Sequence, residues 1–304
     1  MRALSCLVLT AMACRSVPTE APTAPEPEPV VLPDRPTPVV LDQRVVALGD
    51  LHADLAQTLA ALRLAGVVDE QAHWSGGTDI LVQTGDQTDR GPDSLAILQL
   101  LVRLETEAEA AGGRVVALIG NHEVMNTHGD WRYVTPDDVA AYGGVEARAR
   151  DFSADGMSGQ FVRNHDAVAL VGDTVFVHGG IHPDWAEKGI DAINAEVRIG
   201  IDHPEHEAVG ADGPLWFRGY AQAPEPDVCE PLDDALRSLG ARRMVMGHTV
   251  QASGEVTTRC DGKLALIDVG LASYYGSNLA VWELVNGDAR MVTPAGTVDL
   301  PDPG

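Results

Sequence analysis

A chain of 304 residues with 45% apolar content is long enough to bury a large core. Its formal net charge of -24, from 45 acidic against 21 basic residues, repels polyanions and excludes nucleic acid as a partner. The same field draws in divalent cations, whereas a phosphorylated substrate would need a local focus of positive charge.

The first fourteen residues, MRALSCLVLTAMAC, set one basic residue, Arg2, before an apolar stretch from Ala3 to Ala13 that is too short to span a bilayer. They resemble a bacterial lipoprotein signal in which Cys14 is lipidated, although Ala11 stands where Leu is usual. An ordinary export signal cut near Ala13 is the alternative. Either reading makes the protein exported, and the first makes it a periplasmic or cell-envelope lipoprotein that meets the membrane only through its anchor. Residues 15–38 are dense in Pro, Glu, Thr and Ala, a composition that buries no apolar surface and suits an extended tether. The folded domain is expected over residues 39–304.

Along that domain, RVVAL (44–48) predicts a strand, Asp54 to Ala65 a helix, DILVQT (79–84) a strand, Ser94 to Ala111 a long amphipathic helix, and RVVALI (114–119) a third strand. Continuous apolar strands separated by helices imply a βαβαβ layout with a buried, largely parallel sheet. In the second half, AVALVGDTVFVHGG (167–180) predicts a hairpin about a Gly-Asp turn, and strands are expected over 242–248, 263–270 and 278–285. Residues 124–160 and 182–240, richer in Gly, Pro and charge, predict helices and loops that cover one face. The economical architecture is one α/β domain of two packed sheets. Cys229 and Cys260 either form a disulfide, closing a loop of about thirty residues, or remain two separate thiols.

The strand ends carry the chemistry. Asp50 and His52 follow the first strand (VVALGDLH), and Asp86, Asp89 and Arg90 follow the second (LVQTGDQTDRG). Asn121, His122 and Glu123 follow the third (VVALIGNHE), and two later strands end in His178 (TVFVHGG) and His248 (RRMVMGH). A Gly-Asp after one strand is ordinary turn chemistry, but five strands that each deliver a metal-competent side chain to one sheet edge describe a site. Carboxylate, imidazole and amide donors without thiolate suit Mn, Fe, Zn or Ni. Seven donor roles from six side chains point to two ions that share one carboxylate, the arrangement used for hydrolysis of phosphate esters.

The ordered set GDLH, GDQTDRG, GNHE, HGG and GH resembles the calcineurin-like metallophosphoesterases, in their phosphoprotein phosphatase branch. The flanks GNHEVMNTHGDWRYVTP and PLWFRGYA resemble the Shewanella-like protein phosphatases within it. The resemblance spans most of residues 44–285 and implies an α/β fold of two packed mixed β-sheets flanked by helices, with a dinuclear metal site at the strand carboxyl ends. It implies Asp50, His52 and Asp86 as ligands of one ion, and Asp86, Asn121, His178 and His248 as ligands of the other. By the same resemblance Arg90 and Arg218 hold phosphate, His122 protonates the leaving oxygen, and Asp89 orients His122. The implied reaction is hydrolysis of a phosphorylated protein or small phosphomonoester, phosphotyrosine preferred, by in-line attack of a hydroxide held between the ions. Two departures stand out: Ala53 replaces the usual Gly, and DVGLASYYG stands where the serine/threonine enzymes have SAPNYCG.

Other residues take lesser roles. Glu123 is expected to orient a neighbour, Tyr274 or Tyr275 to approach the substrate, and His203 and His206 to lie in a solvated loop. The rival readings are a dinucleoside polyphosphate hydrolase and a non-catalytic phosphate-binding module. The complete donor set argues against the second.

Overall fold

Strand β1 (Val45–Leu48) is buried along its whole length, as a β-branched run between two layers must be. In the computed structural model residues 43–303 are described, so the signal and tether readings fall outside the described residues. Helix α1 (Leu55–Leu64) starts where Asp54 accepts the Gln57 amide at 3.0 Å. Then come β2 (Ile80–Gln83), α2 (Ser94–Ala111), which stops at a left-handed Gly112, and β3 (Arg114–Ala117). Strands β1, β2 and β3 pair in parallel, Val45 beside Ile80 and Ile80 beside Arg114, so the predicted βαβαβ unit is present.

The GNHE stretch opens a short helix, α3 (Asn121–Thr127). Helices α4 (Pro136–Ala141), α5 (Val145–Asp151) and α6 (Met157–Asn164) follow, and then the predicted hairpin, β4 (Val168–Val171) with β5 (Thr174–Val177). The next stretch holds α7 (Pro183–Ala186), α8 (Ile190–Gly200), α9 (Gly219–Gln222) and α10 (Glu225–Leu239). Strands β6 (Arg243–Met246), β7 (Thr257–Arg259) and β8 (Leu264–Leu266) complete a five-stranded sheet in the order β4-β5-β6-β8-β7. The chain then returns to the first sheet through β9 (Val281–Val285), β10 (Asp288–Thr293) and β11 (Gly296–Asp299), and its order is β11-β10-β9-β1-β2-β3. Both sheets are therefore mixed, because β9 runs antiparallel to β1 and β4 antiparallel to β5.

One core joins the two sheets, with Phe176, Val245 and Ala265 of the second packing with Val46, Leu81 and Trp282 of the first. A second core fills the space between the other face of the five-stranded sheet and the helices α8 and α10. Cys229 on α10 and Cys260 after β7 form a disulfide with Cα atoms 5.4 Å apart, which resolves the two readings of that pair.

Candidate active site

The loops after β1 and β2 are laced together by their backbones. The amides of Leu51 and His52 both donate to the Asp86 carbonyl, at 3.0 and 2.9 Å, and that of Ala53 donates to the Gln87 carbonyl at 2.8 Å. The lacing demands unusual backbone: His52, Ala53, Asp86, Asp89, Arg90 and His248 all have positive φ, from 45° to 71°. Non-glycine residues occupy that region at a cost, and such outliers gather where a site requires them. Ala53 thus takes the left-handed turn in which the resembling proteins carry Gly.

The third loop approaches equally closely. A side chain at Gly120 would collide with the Asp86 carboxylate, and one at Gly247 with Asp50. Glu123, fully buried, accepts from the amides of Asp86, Thr88 and Gly120 at 2.8 to 3.0 Å, and so fastens the second loop to the third. Its expected orienting role is borne out in geometry.

Asp86 sits at the centre. His52 Nε2 lies 3.8 Å and His122 Nε2 3.7 Å from its Oδ2, while His178 Nε2 lies 3.2 Å from its Oδ1. Asp86 thereby belongs to two compact donor groups, one with His52 and His122 and one with His178 and His248, each within 4.8 Å. Asp50 Oδ2 is 3.7 Å from His52 Nε2, and Asn121 Oδ1 is 3.0 Å from His178 Nε2. All the residues expected to ligate metal thus come together at the strand ends, and all are buried.

The donors fit divalent cations. His52 and His178 each turn Nδ1 to a backbone carbonyl, Thr88 at 3.3 Å and Thr84 at 2.9 Å, and His248 turns Nε2 to Trp216 at 3.2 Å. A carbonyl accepts a proton from one ring nitrogen, which leaves the other with a lone pair suited to a metal, although in His248 that nitrogen also faces Arg218 Nη2 at 3.4 Å. Burial pushes the imidazoles of His52 and His248 down, to about 4 and about 2, so both are neutral at neutral pH. Burial, with Asp268 and Asp86 close by, raises Asp50 well above the carboxylate range. Asp50, Asp86 and Asp268 are almost fully buried, and among the described residues none ion-pairs with Lys or Arg. Arg218 eases the charge on Asp50 only in part, and such like-charge crowding favours a bound cation.

Asp89 is turned away from this cluster. Its Oδ2 is 2.7 Å from His122 Nδ1, and its Oδ1 accepts from Asn126 Nδ2 at 2.9 Å. Burial lowers the His122 pKa, but the charges of Asp86 and Asp89 outweigh it, and the net direction is upward. Arg90 lies over the Tyr133 ring at 3.8 Å and faces Tyr274 at 5.0 Å; it does not pair with Asp89. Arg218 donates to the His248 carbonyl at 2.6 Å and to Thr249 Oγ1 at 3.0 Å, so it is tied to the loop that carries His248.

The Calcineurin-like phosphoesterase family matches residues 43–252. This chain belongs to that family. The phosphoesterase is 34% identical over 282 residues to Shewanella-like protein phosphatase 2 of Arabidopsis thaliana, with 76% of this chain and 72% of the relative covered. It is 28% identical over 245 residues to Shewanella-like protein phosphatase 1 of Plasmodium berghei, covering 76% and 68%. Its fold matches the crystal structure of the cold-active protein-tyrosine phosphatase of a psychrophilic Shewanella species with a TM-score of 0.75 at 27% identity, covering 85% of this chain and 80% of that one. The expected two-sheet fold is thus borne out, and the family implies two divalent ions.

Sequence reasoning missed Asp268, Tyr133, Asn126, Asp138 and Arg148. Asp268 carried a usable signal, since LIDVG ends a strand in an acid as GDLH and GDQT do. The others carried none. His203 and His206 lie apart from the site and face Glu205 and Glu196, at 3.5 and 3.1 Å.

Proposed function

We propose that this phosphoesterase is a dinuclear metal-dependent protein phosphatase that prefers phosphotyrosine. The observation that carries the reading is Asp86, a single carboxylate placed between His52 on one side and His178 with His248 on the other, with the Asp89–His122 pair directly beside it. Asp50, His52 and Asp86 would hold one ion, and Asp86, Asn121, His178 and His248 the other. Bound there, two divalent ions supply Lewis acidity, which acidifies water and withdraws charge from phosphoryl oxygens. Arg90, held over Tyr133, and Arg218, fixed by the His248 loop, would offer donors to the phosphate dianion. His122 delivers the proton to the departing oxygen from Nε2, while Asp89 accepts from Nδ1 and holds the ring.

The preference for phosphotyrosine is supported by the likeness to the Shewanella tyrosine phosphatase and by the tyrosines grouped about Arg90. Purified protein, assayed for metal content, is to be compared on phosphotyrosine peptide, phosphoserine peptide and diadenosine tetraphosphate, with and without chelator. Chelator-sensitive turnover that is fastest on the phosphotyrosine peptide is expected. Fastest turnover on diadenosine tetraphosphate would replace the reading with the nucleotide hydrolase. We further propose that the protein is exported and anchored through Cys14; lipid labelling that persists in Cys14→Ala would overturn this.

A further inference from the structure

Beneath the site lies a cation that the reaction does not use. Arg148, on α5, is fully buried, and its guanidinium is enclosed by the rings of Phe152, Trp131 and Tyr142 at 4.6, 5.1 and 5.2 Å. Taking a guanidinium out of water is costly, and a site that needed only packing could hold an apolar residue instead. The charge therefore calls for a reason in its partners.

Arg148 Nε donates to Asp138 Oδ2 at 3.0 Å, and Nη1 donates to Asn126 Oδ1 at 2.7 Å. Nη2 lies 3.0 Å from Asp138 Oδ2 and 3.7 Å from Asp89 Oδ1. Guanidinium is a donor only, so Asn126 must turn its carbonyl oxygen to Arg148 and its amide nitrogen the other way. That nitrogen donates to Asp89 Oδ1 at 2.9 Å and to the His122 carbonyl at 2.9 Å. With Oδ1 occupied, Oδ2 of Asp89 is left to face His122 Nδ1 at 2.7 Å. Donor and acceptor directions are thus dictated in sequence from Arg148 to the imidazole: Nδ1–H is held by Asp89, so the proton that the imidazolium gives up is the one on Nε2.

We propose that Arg148 is a positioning residue for proton delivery: it fixes the orientation of Asn126, which aims the Asp89 carboxylate at His122. This rests on the reading of His122 as proton donor. Without Arg148 the Asn126 amide is free to turn over, the Asp89 carboxylate loses one anchor, and the imidazole loses its fixed direction. The loss should scale with how badly the leaving oxygen needs a proton.

The test compares phenyl phosphate, whose phenolate is strongly basic (pKa about 10, as for tyrosine), with 4-nitrophenyl phosphate, whose leaving group departs readily as an anion. The ratio of the two kcat values within one preparation is independent of the folded fraction. Arg148→Met is expected to lower kcat on phenyl phosphate by roughly 10- to 100-fold, part of the ~10²–10⁴ that a positioned proton donor supplies. On 4-nitrophenyl phosphate the loss should stay below about threefold, with KM and metal content unchanged and partial recovery in Arg148→Lys. Should Arg148→Met not fold, Asn126→Ala cuts the same link and must show the same selective loss.

Equal losses on both esters would overturn the proposal and leave Arg148 as a packing residue. His122→Asn serves as the reference. If it shows the selective loss and the Arg148 and Asn126 variants do not, the positioning role alone fails. If it shows none, the proton-donor reading itself fails.

Discussion

Asp86 and Asp89 stand three residues apart, both buried and both left-handed, yet they live in opposite electrostatic surroundings. Around Asp86 are two further carboxylates, Asp50 and Asp268, and imidazoles, of which burial keeps His52 neutral while the Asp86 and Asp89 charges raise His122; no Lys or Arg among the described residues ion-pairs with Asp86. Around Asp89 the chain supplies the cation itself, Arg148, at 3.7 Å and through Asn126. A buried charge requires a partner. One region brings an arginine from a helix and so is permanently set; the other answers its charge with imidazoles, side chains that can also hold ions from solution.

The comparison can be broken most decisively at Asp86. Asp86→Asn should lower activity by more than about 10³-fold and strip metal from both groups, since each depends on this carboxylate. Metal-to-protein ratios measured by elemental analysis check it, and a variant that keeps both ions at full activity would refute the shared-ligand reading. Asp89→Asn should cost about 10²-fold in kcat while metal content stays at the wild-type level, because the loss falls on proton delivery. Metal loss equal to that of Asp86→Asn would erase the distinction between the two aspartates.

Arg90→Ala should act more mildly. Loss of a charge-assisted hydrogen bond, worth about 1.5–3 kcal/mol, predicts a KM rise of roughly tenfold or more with kcat less affected, measured by steady-state kinetics.

The smallest effect is one of stability and belongs to the metal-free protein. Burial, with Asp86 nearby, raises the Asp268 carboxyl from 3.8 to about 6. Between those values the folded protein holds a proton that the unfolded chain has released, so stability falls as pH rises through that window. Thermal melts after chelation should therefore lose a few degrees between pH 4 and 6, and Asp268→Asn should flatten the slope. An unchanged slope in the variant would show that Asp268 does not feel the crowding.

Much of the site was legible because its residues are local to strand ends. A β-branched run followed by Gly-Asp reads the same in sequence and in space, and Asp54 and Gly112 mark helix limits by their own capping geometry. The β10–β11 hairpin was overlooked, because DARMVTPAGTVD alternates only weakly and its Gly and Pro suggest a loop. Arg148 was invisible for a different reason. In VEARARDF it looks like any charged residue of a solvated helix, and its partners Asp138, Asn126 and Asp89 lie 10, 22 and 59 positions away.

From the order of its residues alone this protein already declared a parallel βαβαβ unit and a metal-competent side chain at the end of each of five strands, because backbone periodicity and turn chemistry act over a few positions. The pairing of Cys229 with Cys260, the proximity of Asp268 to Asp50, and the different fates of Asp86 and Asp89 came only with tertiary packing. Electrostatic environment is set by neighbours in space, and for these residues the decisive neighbours are supplied by distant parts of the chain.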